Sequence, residues 1–299
     1  MATFNGEKFL VEQLESLSSQ TFKNWRLYVS DDGSSDGTLA ILKRYQELWG
    51  PDKLIVRNGP QKGFAQNFLS LACDKNIKSD FYAFCDQDDV WMPEKLRVSI
   101  EHIHSVCSAQ QVYAYSSRTI YVDENLKFIG YSPLFVFPRT FRNALIQSIA
   151  GGNTMVFNQA TKNLLQKMGV VPTVAHDWWL YQIVTGSGGT FFYDKVPLIL
   201  YRQHRSSIVG SNQSLSANFT RFIKVLNGSY KLWIDKNISC LRKNEIYLIS
   251  ANIEILNIFE IMRKASLKDR FRLLEVCGLY RQTWKGSLAF FMFILFNKV

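Results

Sequence analysis

The chain has 299 residues, 47% of them hydrophobic, with 35 Lys and Arg against 25 Asp and Glu for a net charge of +10. A buried core is therefore feasible and a disordered chain is excluded, while 17 Gly and 7 Pro exclude collagen-like and low-complexity architectures. Basicity combined with 14% aromatic residues leaves three partner classes: nucleic acid, an anionic membrane face or a phosphorylated substrate.

Turn punctuation comes first, at Asn5-Gly6. Phe9, Leu10, Leu14 and Leu17 then repeat at helical spacing. Trp25 to Ser30 alternates and is rich in aromatic and β-branched residues, which predicts a strand. It ends in the turn cluster Asp31-Asp32-Gly33-Ser34-Ser35-Asp36-Gly37. Thr38 to Trp49 reads as a helix, Lys53 to Arg57 as a short strand, and Gly63 to Cys73 as another helix. Phe81 to Cys85 is a continuous apolar run, the pattern of a buried parallel strand. Asp86-Gln87-Asp88-Asp89 follows it directly, and Pro93 opens a helix reaching about Cys107. Val112 to Ser116, Thr119 to Val122, Thr154 to Phe157, Phe191 to Tyr193 and Leu198 to Tyr201 read as strands, and Asp177 to Thr185 as a helix. Beyond residue 212 the pattern is helical throughout.

Strands alternating with helices over the first 110 residues predict an α/β fold with an open, mostly parallel sheet and flanking helices. Ligands of such sheets sit beyond the carboxyl ends of the strands. Both acidic clusters lie at strand ends.

Asp86, Asp88 and Asp89 crowd three carboxylates onto one turn. Like charges this close repel, and a divalent cation relieves them. Mg²⁺ takes few carboxylates plus phosphate oxygens, so this turn suits a metal-bridged diphosphate; the plainer reading is a solvated turn capping the next helix. Asp31 and Asp32 would accept hydrogen bonds from a base or ribose, or simply form an Asx-type turn. In His176-Asp177-Trp178-Trp179 a carboxylate lies among aromatics, where desolvation raises its pKa and improves it as a general base. An N-cap role for Asp177 is compatible with this. Arg202 and Arg205 suit phosphate oxygens, and His204 suits metal or diphosphate, although any one of them alone reads as part of a solvated basic loop. No structural zinc spacing, Gly-x-Ser-x-Gly or Walker A pattern occurs.

The ordered set Ala2-Thr3-Phe4-Asn5-Gly6, Ser30 to Thr38, Asp86-Gln87-Asp88-Asp89 and His176-Asp177-Trp178-Trp179 resembles the glycosyltransferase family 2 enzymes of the GT-A fold, over about residues 1–210. With Tyr201-Arg202-Gln203-His204, it looks most like the bacterial rhamnosyltransferases of O-antigen and other cell-surface polysaccharides. The resemblance implies a nucleotide-sugar donor, with dTDP-rhamnose expected, a lipid-linked glycan acceptor and Mg²⁺ or Mn²⁺. It implies that Thr3, Asn5, Asp31 and Asp32 hold the nucleotide, that Asp86 meets the ribose, that Asp88 takes the metal, with His204 as a further candidate, and that Asp177 is the base of an inverting transfer. Asp89, Trp178, Arg202 and Arg205 become diphosphate or acceptor candidates. Residues 1–110 would form the nucleotide-sugar half, 111–212 the acceptor and catalytic half, and 213–299 a basic helical tail.

One departure stands out. Members of the family carry an apolar strand just before the Ala-Thr-x-Asn-Gly turn, and here Met1 sits where that strand should be ending. The first strand is therefore expected to be missing, and a start upstream of Met1 is expected.

Residues 213–299 carry 14 Lys and Arg against 6 Asp and Glu, so the basicity is concentrated in the tail. Leu288 to Phe296 adds four Phe in nine residues, short of the roughly 20 apolar residues a spanning helix needs. A basic, aromatic segment suits the anionic face of the inner membrane, or else a helix packing its Phe residues on the catalytic part. The first residues lack the basic start and apolar core of a signal peptide, and the five scattered Cys suit a reducing compartment, so a cytoplasmic, membrane-peripheral enzyme is expected. Three other readings compete. A sugar-nucleotide pyrophosphorylase would need a Gly-rich basic N-terminal loop. A non-catalytic nucleotide-sugar- or membrane-binding protein is the alternative the missing first strand keeps open. A nucleic-acid binder would meet repulsion from acidic clusters at the ligand-binding edge.

Overall fold

The computed structural model describes residues 1–204, 228–296 and 298–299. In chain order its elements begin with β1 (Ala2–Thr3), α1 (Leu10–Ser18), β2 (Leu27–Asp31), α2 (Thr38–Trp49), β3 (Leu54–Asn58), α3 (Phe64–Cys73), β4 (Phe81–Ala83), β5 (Val90–Trp91) and α4 (Lys95–Val106). There follow β6 (Tyr113–Ser117), β7 (Ile120–Val122), β8 (Phe128–Tyr131), α5 (Phe141–Ala144), a 3₁₀ turn (Gly152–Thr154), β9 (Val156–Asn158), α6 (Gln159–Met168) and α7 (His176–Gly186). The chain continues through β10 (Thr190–Asp194) and β11 (Ile199–Arg202) to the tail helices α8 (Ser229–Lys243), α9 (Ser250–Lys264), α10 (Leu267–Cys277) and α11 (Trp284–Leu295).

The strands form three sheets, ordered β1-β2-β3, β10-β6-β9-β4 and β5-β11-β7-β8. The first is fully parallel. The second is mixed, because β9 runs antiparallel to both β4 and β6. In the third, only the β11–β7 pair is parallel. The parallel pattern foreseen for the first 110 residues thus holds at β1 to β3.

The strand expected to be missing is present as a remnant. β1 pairs Ala2 with Ser30 and Thr3 with Asp31, and the Met1 ammonium donates to the Tyr28 carbonyl at 2.7 Å. Met1 is buried, so the first residue already belongs to the core.

One hydrophobic cluster lies under α1, α2 and α4 and gathers Leu10, Leu14, Leu42, Leu96 and Ile100. A larger one joins α3, α6 and α7 to the tail helices through residues such as Phe68, Trp179, Ile234, Phe259 and Phe290. The described tail helices are therefore docked on the α/β part rather than hanging free. On α11, Phe290, Phe293 and Ile294 face this core, while Trp284, Leu288 and Phe291 remain exposed. No described helix is long and apolar enough to cross a membrane.

Candidate active site

The loops after β1, β2 and β4 open on one edge. The Thr3 hydroxyl donates to the Asp31 carboxylate at 2.8 Å. Asp31 also accepts from the backbone of Gly33 and Ser34 and from the Ser34 hydroxyl. Burial opposes its charge, but the hydrogen bonds from Ser34, Thr3 and Gly33 outweigh that and hold its carboxyl below the ordinary range. Both residues are buried and spend their polar atoms shaping the turn. Asp32 does likewise for the next loop, accepting from the backbone N–H of Gln61 at 2.6 Å and of Gly63 at 3.0 Å. Asn5, in the left-handed region at φ 48, uses its side-chain oxygen to accept from the Ser35 backbone at 2.8 Å. The Phe4–Asn5–Gly6 loop and the 31–37 loop are thereby knitted into one rim, with Phe4 itself exposed.

The acidic turn after β4 splits its members by role. Asp88 is partly exposed, and one of its oxygens lies 2.8 Å from His204 Nε2. Asp86 is partly buried; burial first, then the charges of Asp88 and Asp177, push its carboxyl well above the usual range. Asp89 is fully buried and is held by Asn153 Nδ2 and by the Arg202 backbone N–H at 3.2 Å. Neighbouring positions on a tight turn point in different directions, and here one faces the cleft while the next faces the core.

Asp177 lies in the first turn of α7. Its Oδ1 accepts from the Trp178 N–H at 2.5 Å. Burial pushes its carboxyl up to about 6, against the backbone N–H groups of Trp178 and Gly152, which pull it down. Because Asp177 also raises Asp86, the turn after β4 and the start of α7 share one electrostatic site. Gly152 is required there, since a Cβ at this position would lie 2.2 Å from His176 Nε2.

Three of the predicted diphosphate or acceptor contacts, Arg202, Asp89 and Trp178, lie buried with protein partners. Arg202 is only 1% exposed. Its guanidinium donates to the Asp88 carbonyl at 2.9 Å, to the Glu124 carbonyl and to the Glu12 carboxylate, and it lies over the Phe9 ring. Each of its three guanidinium nitrogens donates to a protein acceptor, and the side chain braces the acidic turn from behind. Asp89 is likewise consumed by structural bonds. Trp178 is buried with its indole N–H on the Ala144 carbonyl at 2.7 Å, which anchors α7. Arg205 lies outside the described residues.

Sequence reasoning singled out neither Gln87 nor Asn153 as functional. Gln87 bonds both backbone polar groups of Phe4, and Asn153 holds Asp89. Their amides carry no charge signal, and their partners are remote in sequence.

Among the described residues no group of three or more His, Cys, Asp or Glu side chains forms a ready-made metal cage. Asp88 with His204 supplies a two-residue donor set beside carboxylates that repel one another. That fits a divalent ion whose remaining ligands are phosphate oxygens and water.

Residues 1–165 match the family model for glycosyl transferase family 2. The chain is similar to the dTDP-rhamnosyl transferase RfbG of Shigella flexneri, with 29% identity over 255 residues covering 81% of this chain and 84% of that one. A shorter stretch of 102 residues is 35% identical to the UDP-Glc:alpha-D-GlcNAc-diphosphoundecaprenol beta-1,3-glucosyltransferase WfgD of Escherichia coli, covering 33% of this chain and 38% of that one. In three dimensions the chain resembles S. aureus TarS 1-349 in complex with UDP-GlcNAc, with a TM-score of 0.53 at 16% identity, covering 89% of this chain and 80% of that one.

Proposed function

The chain belongs to glycosyl transferase family 2, and from that premise we propose that it transfers L-rhamnose from dTDP-rhamnose, with inversion, to a hydroxyl of a lipid-linked glycan during cell-surface polysaccharide synthesis. That it is a glycosyltransferase with a GT-A-like fold follows from the family match and the shared architecture. The choice of donor leans on the likeness to RfbG, and the lipid-linked acceptor on the likeness to WfgD, which is named for a diphosphoundecaprenol-linked sugar.

The observation that carries the mechanism is the meeting of Asp86 and Asp88 from one half with Asp177 from the other. In this reading the rim formed by the loops after β1 and β2 seats the nucleotide, its backbone already set by Thr3, Asn5, Asp31 and Asp32. Asp86 accepts from the ribose. Asp88 and His204 would hold Mg²⁺ or Mn²⁺, which when bound neutralises charge growing on the leaving diphosphate. Asp177 takes the proton from the acceptor hydroxyl as that oxygen attacks the anomeric carbon from the face opposite the diphosphate. Its raised pKa makes it a better proton acceptor than an exposed carboxylate. Arg202 keeps the Asp88 backbone in place.

The exposed Trp284, Leu288 and Phe291 beside Arg281 and Lys285 support a peripheral position on the cytoplasmic face of the inner membrane, where such an acceptor would be met. The test of the reaction is a panel of nucleotide sugars scored for nucleotide diphosphate release, with and without Mn²⁺. Turnover of dTDP-rhamnose above other donors, lost on chelation, is expected. Preference for another donor, or full turnover in chelator, overturns the corresponding part of the reading.

A further inference from the structure

The start of β9 brings a second strand end to the acidic turn. β9 runs antiparallel to β4, so the residues before Val156 lie beside the residues after Ala83. The Phe84 N–H donates to the Met155 carbonyl at 3.3 Å and carries that pairing toward Asp86. Just upstream, Gly152–Thr154 closes into the 3₁₀ turn. The Met155 N–H donates to the Gly152 carbonyl at 2.8 Å and the Thr154 N–H to the Gly151 carbonyl at 3.0 Å. Gly152, Asn153 and Thr154 are all buried.

This turn bonds to both sides of the site. Asn153 Nδ2 donates to one Asp89 oxygen, while the other accepts from the Arg202 N–H at 3.2 Å. Asp88 directly precedes Asp89, so the bond also fixes the backbone that carries Asp88. The Gly152 N–H serves Asp177 instead and favours its charged form. Two adjacent residues thus tie the acidic turn after β4 to the first turn of α7.

His176 stands between them. Its imidazole is buried, stacks on Phe68 with 3.9 Å between centroids and meets the Phe84 ring edge-on at 4.6 Å. Burial first, then the Met1 ammonium, hold the ring neutral, with its pKa down at about 3. Neither ring nitrogen has a hydrogen-bond partner among the described residues, a cost that a phenyl ring in the same aromatic pocket would avoid. The size of the ring accounts for the choice. Nε2 abuts the Gly152 backbone, where a Cβ would lie 2.2 Å from it. A phenyl ring, being longer, would push the turn away from Asp177. Gly152 is not among the glycines with positive φ, so it answers to the ring and not to backbone strain.

We propose that Gly152 and Asn153 are positioning residues for the transfer, holding the Asp177 carboxylate at a fixed separation from the Asp86–Asp89 turn, with the His176 ring as the spacer that sets it. The proposal rests on the reading of Asp177 as the base. In-line displacement puts the attacking oxygen and the leaving diphosphate on opposite sides of the anomeric carbon, so this separation governs whether one bound substrate pair serves both groups.

The test measures kcat, donor KM and the thermal midpoint for each variant, in the wild-type and Asp177→Asn backgrounds, with the donor that the panel above turns over best. Gly152→Ala drives a methyl into the imidazole and should lower kcat by about 10²-fold with donor KM within about threefold, the loss that an ångström of misplacement brings. Adding His176→Ala to Gly152→Ala removes the obstruction and should recover at least about tenfold of that rate. Asn153→Ala should lower kcat by about tenfold. In the Asp177→Asn background the losses from Gly152→Ala and Asn153→Ala should shrink below about threefold, because the carboxylate they position is gone. A packing role alone would lower the thermal midpoint and leave the same fold-loss in both backgrounds. Wild-type kcat in folded Gly152→Ala or Asn153→Ala, no recovery in the double variant, or equal losses in both backgrounds each overturn the proposal and leave Asp177 as the base. If Gly152→Ala does not fold, Asn153→Ala in the two backgrounds decides. Full turnover in Asp177→Asn overturns the base reading itself, and this proposal with it.

Discussion

Gln87 grips the backbone of Phe4 from both sides, accepting its N–H at 2.9 Å and donating to its carbonyl at 3.0 Å. The two residues are 83 positions apart, and the pair ties the rim after β1 to the acidic turn after β4. We predict that Gln87→Ala loosens the nucleotide seat without touching the reacting atoms. Two exposed neutral hydrogen bonds contribute about 1 kcal/mol together, so KM for the donor should rise roughly fivefold to tenfold with kcat nearly unchanged. Steady-state kinetics decide it, and a fall in kcat at constant KM would reject the positioning role.

Asp177→Asn should lower kcat by about 10²- to 10⁴-fold while the protein stays folded, because the amide keeps the shape but accepts no proton. The wild-type base works only when ionised, and its carboxyl lies at about 6, so kcat/KM should fall tenfold per unit as pH drops below about 6. The residual activity of the variant should lack that limb. A full limb in Asp177→Asn would mean that another group titrates.

Asp86 and Asp177 both have folded-state pKa values above those of the unfolded chain. Each favours folding most fully below the ordinary carboxylate range, and the contribution is lost as pH rises through the raised values. A divalent cation offsets the repulsion only where the carboxylates are charged. Mn²⁺ should therefore raise the thermal midpoint more at pH 8 than at pH 5, and Asp88→Ala should erase the difference. Equal shifts at both values, measured by differential scanning calorimetry, would argue against a metal at this turn.

Arg202 braces the acidic turn through its bonds to the Asp88 and Glu124 carbonyls and to Glu12. Arg202→Ala strands the carbonyls of Asp88 and Glu124 and removes a packed side chain from above Phe9. Glu12 is half exposed and rehydrates, so the loss should be about 3 kcal/mol rather than that of a fully buried pair. Chemical denaturation would show it, and an unchanged midpoint would contradict the buried network.

The tail offers a separation of roles on one helix. Leu288→Ser with Phe291→Ser should weaken binding to vesicles containing anionic lipid while leaving the thermal midpoint within a few degrees. Phe293→Ala should instead cost about 3 kcal/mol of stability, because that ring is in the core. Flotation that is unaffected by the first pair would leave α11 as a packing helix alone.

Much of this was legible from the residues. The helix at Thr38–Trp49 appears with its foreseen bounds, because a Gly-rich turn precedes it, Gly50 ends it and its apolar positions recur at helical spacing. The two acidic strand ends and Asp177 also lie where a strand–loop–helix reading puts them. What escaped was set by distant partners. α6 is polar over most of its length and is announced only by Asn158, whose side chain accepts from the Thr161 N–H. β5 has two residues and exists because β11 lies beside it. Arg202 reads as a phosphate arm until Glu12, 190 positions away, is seen to claim it. Asp88 and Asp89 are chemically identical and adjacent, and only the turn decides which one meets solvent.

The docking of the tail has a consequence for how the molecule comes apart. The larger core takes Phe68 from α3, Leu165 from α6, Trp179 from α7 and Ile234, Phe259, Cys277 and Phe293 from the tail. The Asn143 amide donates to the Tyr280 carbonyl and accepts from Tyr181 of α7. The helix that carries Asp177 and the tail helices that share its core are therefore expected to melt as one cooperative unit. An exchange of tails between relatives would have to carry the matching surface of α7 with it.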